Sequence, residues 1–209
     1  MGLYKALKGM EYLSDMKKNK EKKKQFEKVA EKTANKEETD VDVFESPDIY
    51  SLRMEEKAGA FGKRTFTITN TADDVLYTVK KTGTFKYPYL KLYNTNDEVV
   101  GSVKTEWSDY KPLFNLNISG RQCQLKQTTL TKSMYELHGY GWQIKSQIGK
   151  TIVCDKRWTK IIQIEWEGTT LKGDKRTDVY KVKILNRNDE IAALVVALAI
   201  YISRRPEYQ

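Results

Sequence analysis

Histidine is nearly missing from this sequence: His138 is the only one in 209 residues. Cysteine is scarce as well, with Cys123 and Cys154 in separate segments and no CxxC spacing. A structural zinc site needs grouped thiolate and imidazole ligands, and this inventory cannot supply them. No charged-then-apolar leader opens the chain, which predicts free thiols in a reducing, cytoplasmic setting. Long apolar runs are lacking too. The longest, Ile191–Ile202, holds twelve residues, about 18 Å as a helix against a hydrocarbon thickness of ~30 Å.

The ligand-binding fingerprints are equally incomplete. Gly149-Lys150-Thr151 resembles the end of a phosphate-binding loop, but Ile144 stands where the earlier glycine belongs. Gly139-Tyr140-Gly141 lacks the third glycine and following helix of a dinucleotide site. Asn94-Thr95-Asn96-Asp97 lacks the later glycine and glutamate of a calcium loop. Glu165 and Glu167 flank Trp166 on a polar strand phase, where a carboxylate is solvated. His138 shares the polar phase of Met134 and Glu136, opposite Tyr135 and Leu137, and so faces outward. Catalysis requires convergent reactive groups. The chain therefore reads as non-enzymatic, with no metal or cofactor expected.

What the sequence has in quantity is lysine and alternation. The net charge is +9, from 37 basic and 28 acidic residues. Residues 1–45 form a distinct arm. Leu3, Leu7, Met10 and Leu13, with Tyr4 beside them, recur at helical spacing. They are followed by Lys17, Lys18, Lys20, Lys22, Lys23 and Lys24, six lysines in eight residues. Phe26, Val29 and Ala30 resume a faint helical pattern before Glu37–Asp42 turns acidic. Residues 1–24 carry +5 and residues 25–45 carry −4, which leaves +8 on the rest of the chain.

From Ile49 onward the period is two. Phe66/Ile68, Tyr77/Val79, Leu90/Leu92, Val99/Val103, Phe114/Leu116/Ile118 and Tyr135/Leu137 alternate with polar neighbours. Trp142/Ile144, a run from Ile152 to Trp158, Ile162/Ile164/Trp166 and Tyr180/Val182/Ile184 continue the pattern. Each alternation predicts a strand with one buried and one wet face. Turn residues separate them at Asn70–Asp74, Asn94–Asp97, Ser119-Gly120, Gly139–Gly141 and Gly149-Lys150. The count is about twelve strands, with links too short for parallel crossovers, so an antiparallel meander is expected. Residues 55–63 and 167–177 read as mobile loops.

The apolar run then has a place. Asn188 can cap it, Asp189 and Glu190 sit in its first turn, Arg204 and Arg205 in its last, and Pro206 stops it. A helix apolar on every side, over residues 189–205, must lie in a core. Twelve strands curl to hide their apolar face, and a barrel that wide needs a filling. The expected fold is mainly β: a closed antiparallel barrel over residues 46–209, around a central hydrophobic C-terminal helix, with a helical N-terminal arm.

The order of these features, with Asp155-Lys156-Arg157-Trp158 and Asp178–Ile184 immediately before the Ala/Leu/Val/Ile helix, resembles the tubby C-terminal-like superfamily. The likeness is greatest to its LURP-one-related branch with small bacterial members, and it extends from about Ile49 to the end. The resemblance implies a twelve-stranded barrel around a C-terminal helix. It also implies kinship with phosphoinositide-binding tubby proteins and phospholipid scramblases. The lipid-binding lysine and arginine of tubby have no clear counterpart here and are not carried over.

Anionic lipid headgroups or a membrane surface are the first expected partner, which implies peripheral membrane association. The candidate residues are the arm lysines 17, 18, 20, 22, 23 and 24, together with Lys172, Lys175 and Arg176 in the late loop. A protein partner taken by the arm helix is the alternative. Nucleic acid ranks third: base stacking wants outward aromatics, for which Tyr87, Tyr89, Trp107 and Tyr110 could serve, although Tyr87-Pro88-Tyr89 reads more as a strand-end bend. Lys80, Lys91, Lys104, Lys126, Lys145, Lys181 and Lys183 occupy polar strand phases. Whether they converge is the open point of the sequence.

Overall fold

A computed structural model describes residues 43–58, 64–84, 87–108, 111–128, 133–172 and 175–204. The chain divides after Ser46 into two units, Met1–Ser46 and Pro47–Gln209, and the barrel belongs to the second. The arm lysines 17–24 lie outside the described residues.

Twelve strands follow one another: β1 (Tyr50–Ala58), β2 (Arg64–Thr69), β3 (Val75–Gly83), β4 (Pro88–Tyr93), β5 (Val99–Ser108) and β6 (Lys111–Ile118). Then come β7 (Arg121–Gln127), β8 (Met134–His138), β9 (Trp142–Ser146), β10 (Lys150–Cys154), β11 (Lys160–Lys172) and β12 (Lys175–Ile184). Every neighbour pair is antiparallel, and β1 pairs with β12, so the meander closes and every strand has a neighbour on each side. Among the described residues one α-helix, α1 (Glu190–Arg204), runs through the middle with residues 192–202 all buried. This is the architecture that the tubby-like resemblance implies.

The apolar phases meet α1 as expected. Phe66, Val79, Leu92, Val103, Leu116, Leu125, Ile144 and Val182 are buried around it. Where Gly101 faces the helix, the wall is bare: a β-carbon there would stand 2.6 Å from Val195 Cγ2. Polar groups at the two ends of the helix have partners. Tyr201 donates to the buried Glu56 carboxylate at 2.8 Å, and its ring meets Phe66 and Tyr180 edge-on. At the opposite end, Glu190 accepts from the Tyr50 hydroxyl at 2.8 Å and also from Tyr77. A carboxylate there opposes the positive end of the helix dipole.

Several local expectations are corrected. Residues 167–177 are not a loop: β11 and β12 continue as a hairpin to the Lys172–Lys175 pair, past a bulge between Trp166 and Gly168. Residues 55–58 likewise extend β1. The strand read from Ile152 to Trp158 stops at Cys154, because Asp155 Oδ1 accepts from the amides of Arg157 and Thr159 and turns the chain. The N-cap is Asn186 rather than Asn188. Asn186 receives the Asn188 amide and opens a 3₁₀ turn, Arg187–Asp189, ahead of α1, so Asp189 lies outside the helix. Val99 is half exposed where the register slips between Leu92 and Tyr93. Lys183 has no wet face: it is buried, with its ammonium 3.2 Å from Glu165.

Candidate functional site

A meander alternates direction, so every second connection emerges at the same rim of the barrel. The links β1–β2, β3–β4, β5–β6, β7–β8, β9–β10 and β11–β12 share one rim with the C-terminus of α1. The other links share the opposite rim with the start of α1.

The two rims differ in charge. At the α1 C-terminal rim, the last two residues of each strand include Lys57, Arg64, Lys111, Lys126, Lys145, Lys150, Lys172, Lys175 and Arg176. Arg204 closes the helix there. These strand ends and the described parts of their links hold no Asp or Glu; Asp109 and Asp174 fall in links of this rim outside the described residues. At the opposite rim the same positions mix both signs. Asp73, Asp74, Asp97, Glu98, Asp155, Asp189 and Glu190 stand with Arg121, Lys156, Arg157, Lys160, Lys183 and Arg187.

Turn chemistry explains part of this asymmetry. On the mixed rim, Asn70, Asn94 and Asp155 each accept two backbone amides through a side-chain oxygen. Three residues after each, Asp73, Asp97 and Trp158 take positive φ. Short carboxylate and amide side chains suit such turns, so acids collect there for local reasons.

Neutralisation follows the same division. Away from the rim, Lys80 lies 2.8 Å from Asp97 and Lys104 lies 2.9 Å from Glu106. Among the described residues, no ion pair neutralises Lys57, Lys126, Lys145 or Lys150. Lys80 and Lys91 face each other across β3 and β4 and stack over Tyr93 and Tyr89, on the outer wall rather than at the rim. Lys181 lies opposite Arg53 in β1. Both line a groove of about 220 Å³, with Asn70, Asp73 and Glu167 beside them. Two cations there face two carboxylates, so the groove has no preference of sign.

The sequence candidates are thus divided. Lys172, Lys175 and Arg176 come together at the tip of the β11–β12 hairpin, and the structure adds Lys145 and Lys150 on the same rim. The sequence offers neither Arg204 nor the β9–β10 turn as a lipid-site candidate. Arg204 donates to Ser146 Oγ at 2.7 Å and Thr151 Oγ1 at 2.9 Å, and to the Gln147 carbonyl. Burial pulls its pKa down, yet hydroxyls and carbonyls hold the guanidinium in place. A helix C-terminus is also where a cation is favoured.

The reactive groups do not converge. His138 is half exposed on the outer wall, 3.9 Å from Glu136. Both cysteines are free and buried. Burial raises both thiol pKa values, that of Cys154 to about 11, which disfavours the nucleophilic thiolate. Among the described residues no cluster of three metal-ligating side chains occurs, and no helix is long and apolar enough to cross a membrane.

No protein-family model matches the chain, and no curated protein matches it in sequence. Among solved structures, an X-ray structure of a protein from Arabidopsis thaliana matches at 17 % identity and a TM-score of 0.44. The match covers 72 % of this chain and 90 % of that one. At that level the likeness carries no argument about activity or ligand.

Proposed function

We propose that this chain is a non-enzymatic, tubby-like barrel module that docks on anionic membrane surfaces through the rim around the C-terminus of α1. One observation carries the reading: the described strand ends of that rim hold basic residues and no carboxylate, while the opposite rim mixes both signs. A closed barrel ends in a ring, and a ring of cations presents its charge to a plane of anionic headgroups. Each lysine or arginine near such a surface contributes about 1 kcal/mol. The arm adds to this attraction through Lys17, Lys18, Lys20, Lys22, Lys23 and Lys24, which follow an apolar helical stripe, a combination that holds interfacial helices to lipid.

Vesicle co-sedimentation tests the reading. The intact chain should bind vesicles of phosphatidylcholine with roughly 30 % phosphatidylserine and ignore phosphatidylcholine alone. Binding should fall steeply from low to physiological salt as screening grows. Lys172→Glu/Lys175→Glu/Arg176→Glu should weaken it, as should Lys22→Gln/Lys23→Gln/Lys24→Gln. The control Lys156→Glu/Arg157→Glu/Lys160→Glu, on the mixed rim, should not. Failure to sediment with anionic vesicles even at low salt would sink the proposal. Capture of a protein by the arm in the absence of lipid would then favour the partner-helix reading.

A further inference from the structure

The turn between β9 and β10 is unusual on this rim. Ile148 at its tip is fully exposed, at 102 % of its reference area. A tight turn has no use for a β-branched apolar residue, since its demands are met by Gly, Asn, Asp, Ser or Pro. Gly149 supplies the positive φ, 81°, that this turn requires. Beside the tip, Trp166 is 45 % exposed, and its backbone amide donates to the Gly149 carbonyl at 2.8 Å.

The finger is also held stiff. Arg204 at the end of α1 grips Ser146, Gln147 and Thr151 on both sides of the turn, and Gln147 and Lys150 exchange backbone hydrogen bonds across it. On the other rim the half-exposed Val75 and Val99 directly follow Asp74 and Glu98, and Leu185 precedes Asn186 and Arg187, so their surroundings mix both signs. Ile148 lies between Lys145 and Lys150, which no ion pair neutralises among the described residues, while Trp166 is flanked by Glu165 and Glu167 on β11.

We infer that the β9–β10 turn is a rigid membrane-insertion finger: Ile148 enters the headgroup–acyl boundary and Trp166 lies at headgroup level as the basic rim meets anionic lipid. This rests on the docking reading above and adds its orientation and its anchor. Charge complementarity selects a bilayer as the occupant, because an apolar tip flanked by Lys145, Lys150 and Arg204 matches anionic headgroups above hydrocarbon. A tryptophan ring suits the interface, where one edge is apolar and the other wet.

The test uses the full-length chain with Ile148→Cys carrying an environment-sensitive fluorophore. The two native thiols are buried, so labelling is selective. With phosphatidylcholine vesicles containing roughly 30 % phosphatidylserine, emission should shift to the blue and be quenched by lipid-borne quenchers. The same label at Val99→Cys on the opposite rim should remain unchanged. Ile148→Asp should weaken vesicle binding about tenfold, while Ile148→Leu should preserve it. If the chain sediments with anionic vesicles but the label at 148 is silent and Ile148→Asp binds equally, the finger is refuted and rim docking survives. If nothing sediments at low salt, both fall.

Discussion

The contact between Gly101 and α1 gives a quantitative test of how closely the barrel wraps its helix. Gly101→Ala would place a methyl 2.6 Å from Val195 Cγ2, 3.4 Å from the Asn117 carbonyl oxygen and 3.5 Å from Ile191 Cγ2. Val195 is fully buried and cannot swing aside. Overpacking of this kind costs about 1–3 kcal/mol. Loss of glycine's unfolded-state freedom offsets about 0.4–1 kcal/mol. Overpacking therefore wins, and a net loss of roughly 1–2 kcal/mol is expected, or a Tm lower by about 2–8 °C for a chain of this size. Val195→Ala alone should cost about 2 kcal/mol through lost burial and a cavity. In the double variant the new methyl occupies the space left by the missing Cγ2. The combined loss should then fall short of the sum by about 1–2 kcal/mol. Urea unfolding of the four proteins measures this cycle. Additivity within about 0.5 kcal/mol, or a neutral Gly101→Ala, would refute the close approach.

Three further outcomes follow from the core and its titrating groups. Val196→Asp puts an unpaired charge where no solvent reaches, at a cost comparable to the whole stability of a domain; circular dichroism of any soluble fraction should show an unfolded chain. Cys123 and Cys154 should react slowly with a thiol reagent in the native state and promptly in denaturant; fast native labelling of both would contradict their burial. Alkali should destabilise the barrel. Cys154, raised from 9.0 to about 11, and Tyr50, raised from 10.0 to about 12, are neutral in the fold and ionise more readily once unfolded. Their contribution is complete below about pH 9 and is lost as pH climbs toward 12, so Tm should decline across that window and less steeply in Tyr50→Phe.

The strand count, the closure and the central helix were legible because period-two alternation and an all-apolar run each admit few solutions. Other features depend on atoms remote in sequence. The length of β11 was hidden by the bulge after Trp166, which breaks the alternation and makes a strand look like a loop. Lys183 looked wet because its partner, Glu165, lies on another strand. Gly101 gave no sign of its role, since the residue it accommodates, Val195, comes 94 positions later. The basic rim was within reach. Once a meander is assumed, alternate links share an end, and sorting their charges by parity separates the two rims without any coordinates. In the sequence Arg204 marks only the last helical turn; its grip on the β9–β10 turn is visible only in three dimensions.

Closure of the ring by β1 and β12 also sets the timetable of biosynthesis. Tyr50 pairs with Ile184, and the helix that fills the lumen follows still later. A ribosome adds about 5–20 residues per second, so β1 waits roughly 10–30 s for the last turn of α1 to be made. During that interval its backbone edge and the apolar face of every nascent hairpin have neither their final neighbour nor their filling. Hairpins can form one by one as they emerge, but the ring cannot shut around an empty lumen. Closure is thus a late event dominated by contacts distant in sequence, the kind that folds slowly. Until it occurs, β1 is an open template for strands of other chains. The yield of folded protein should therefore respond to expression temperature and to holding chaperones more strongly than its final stability alone would imply.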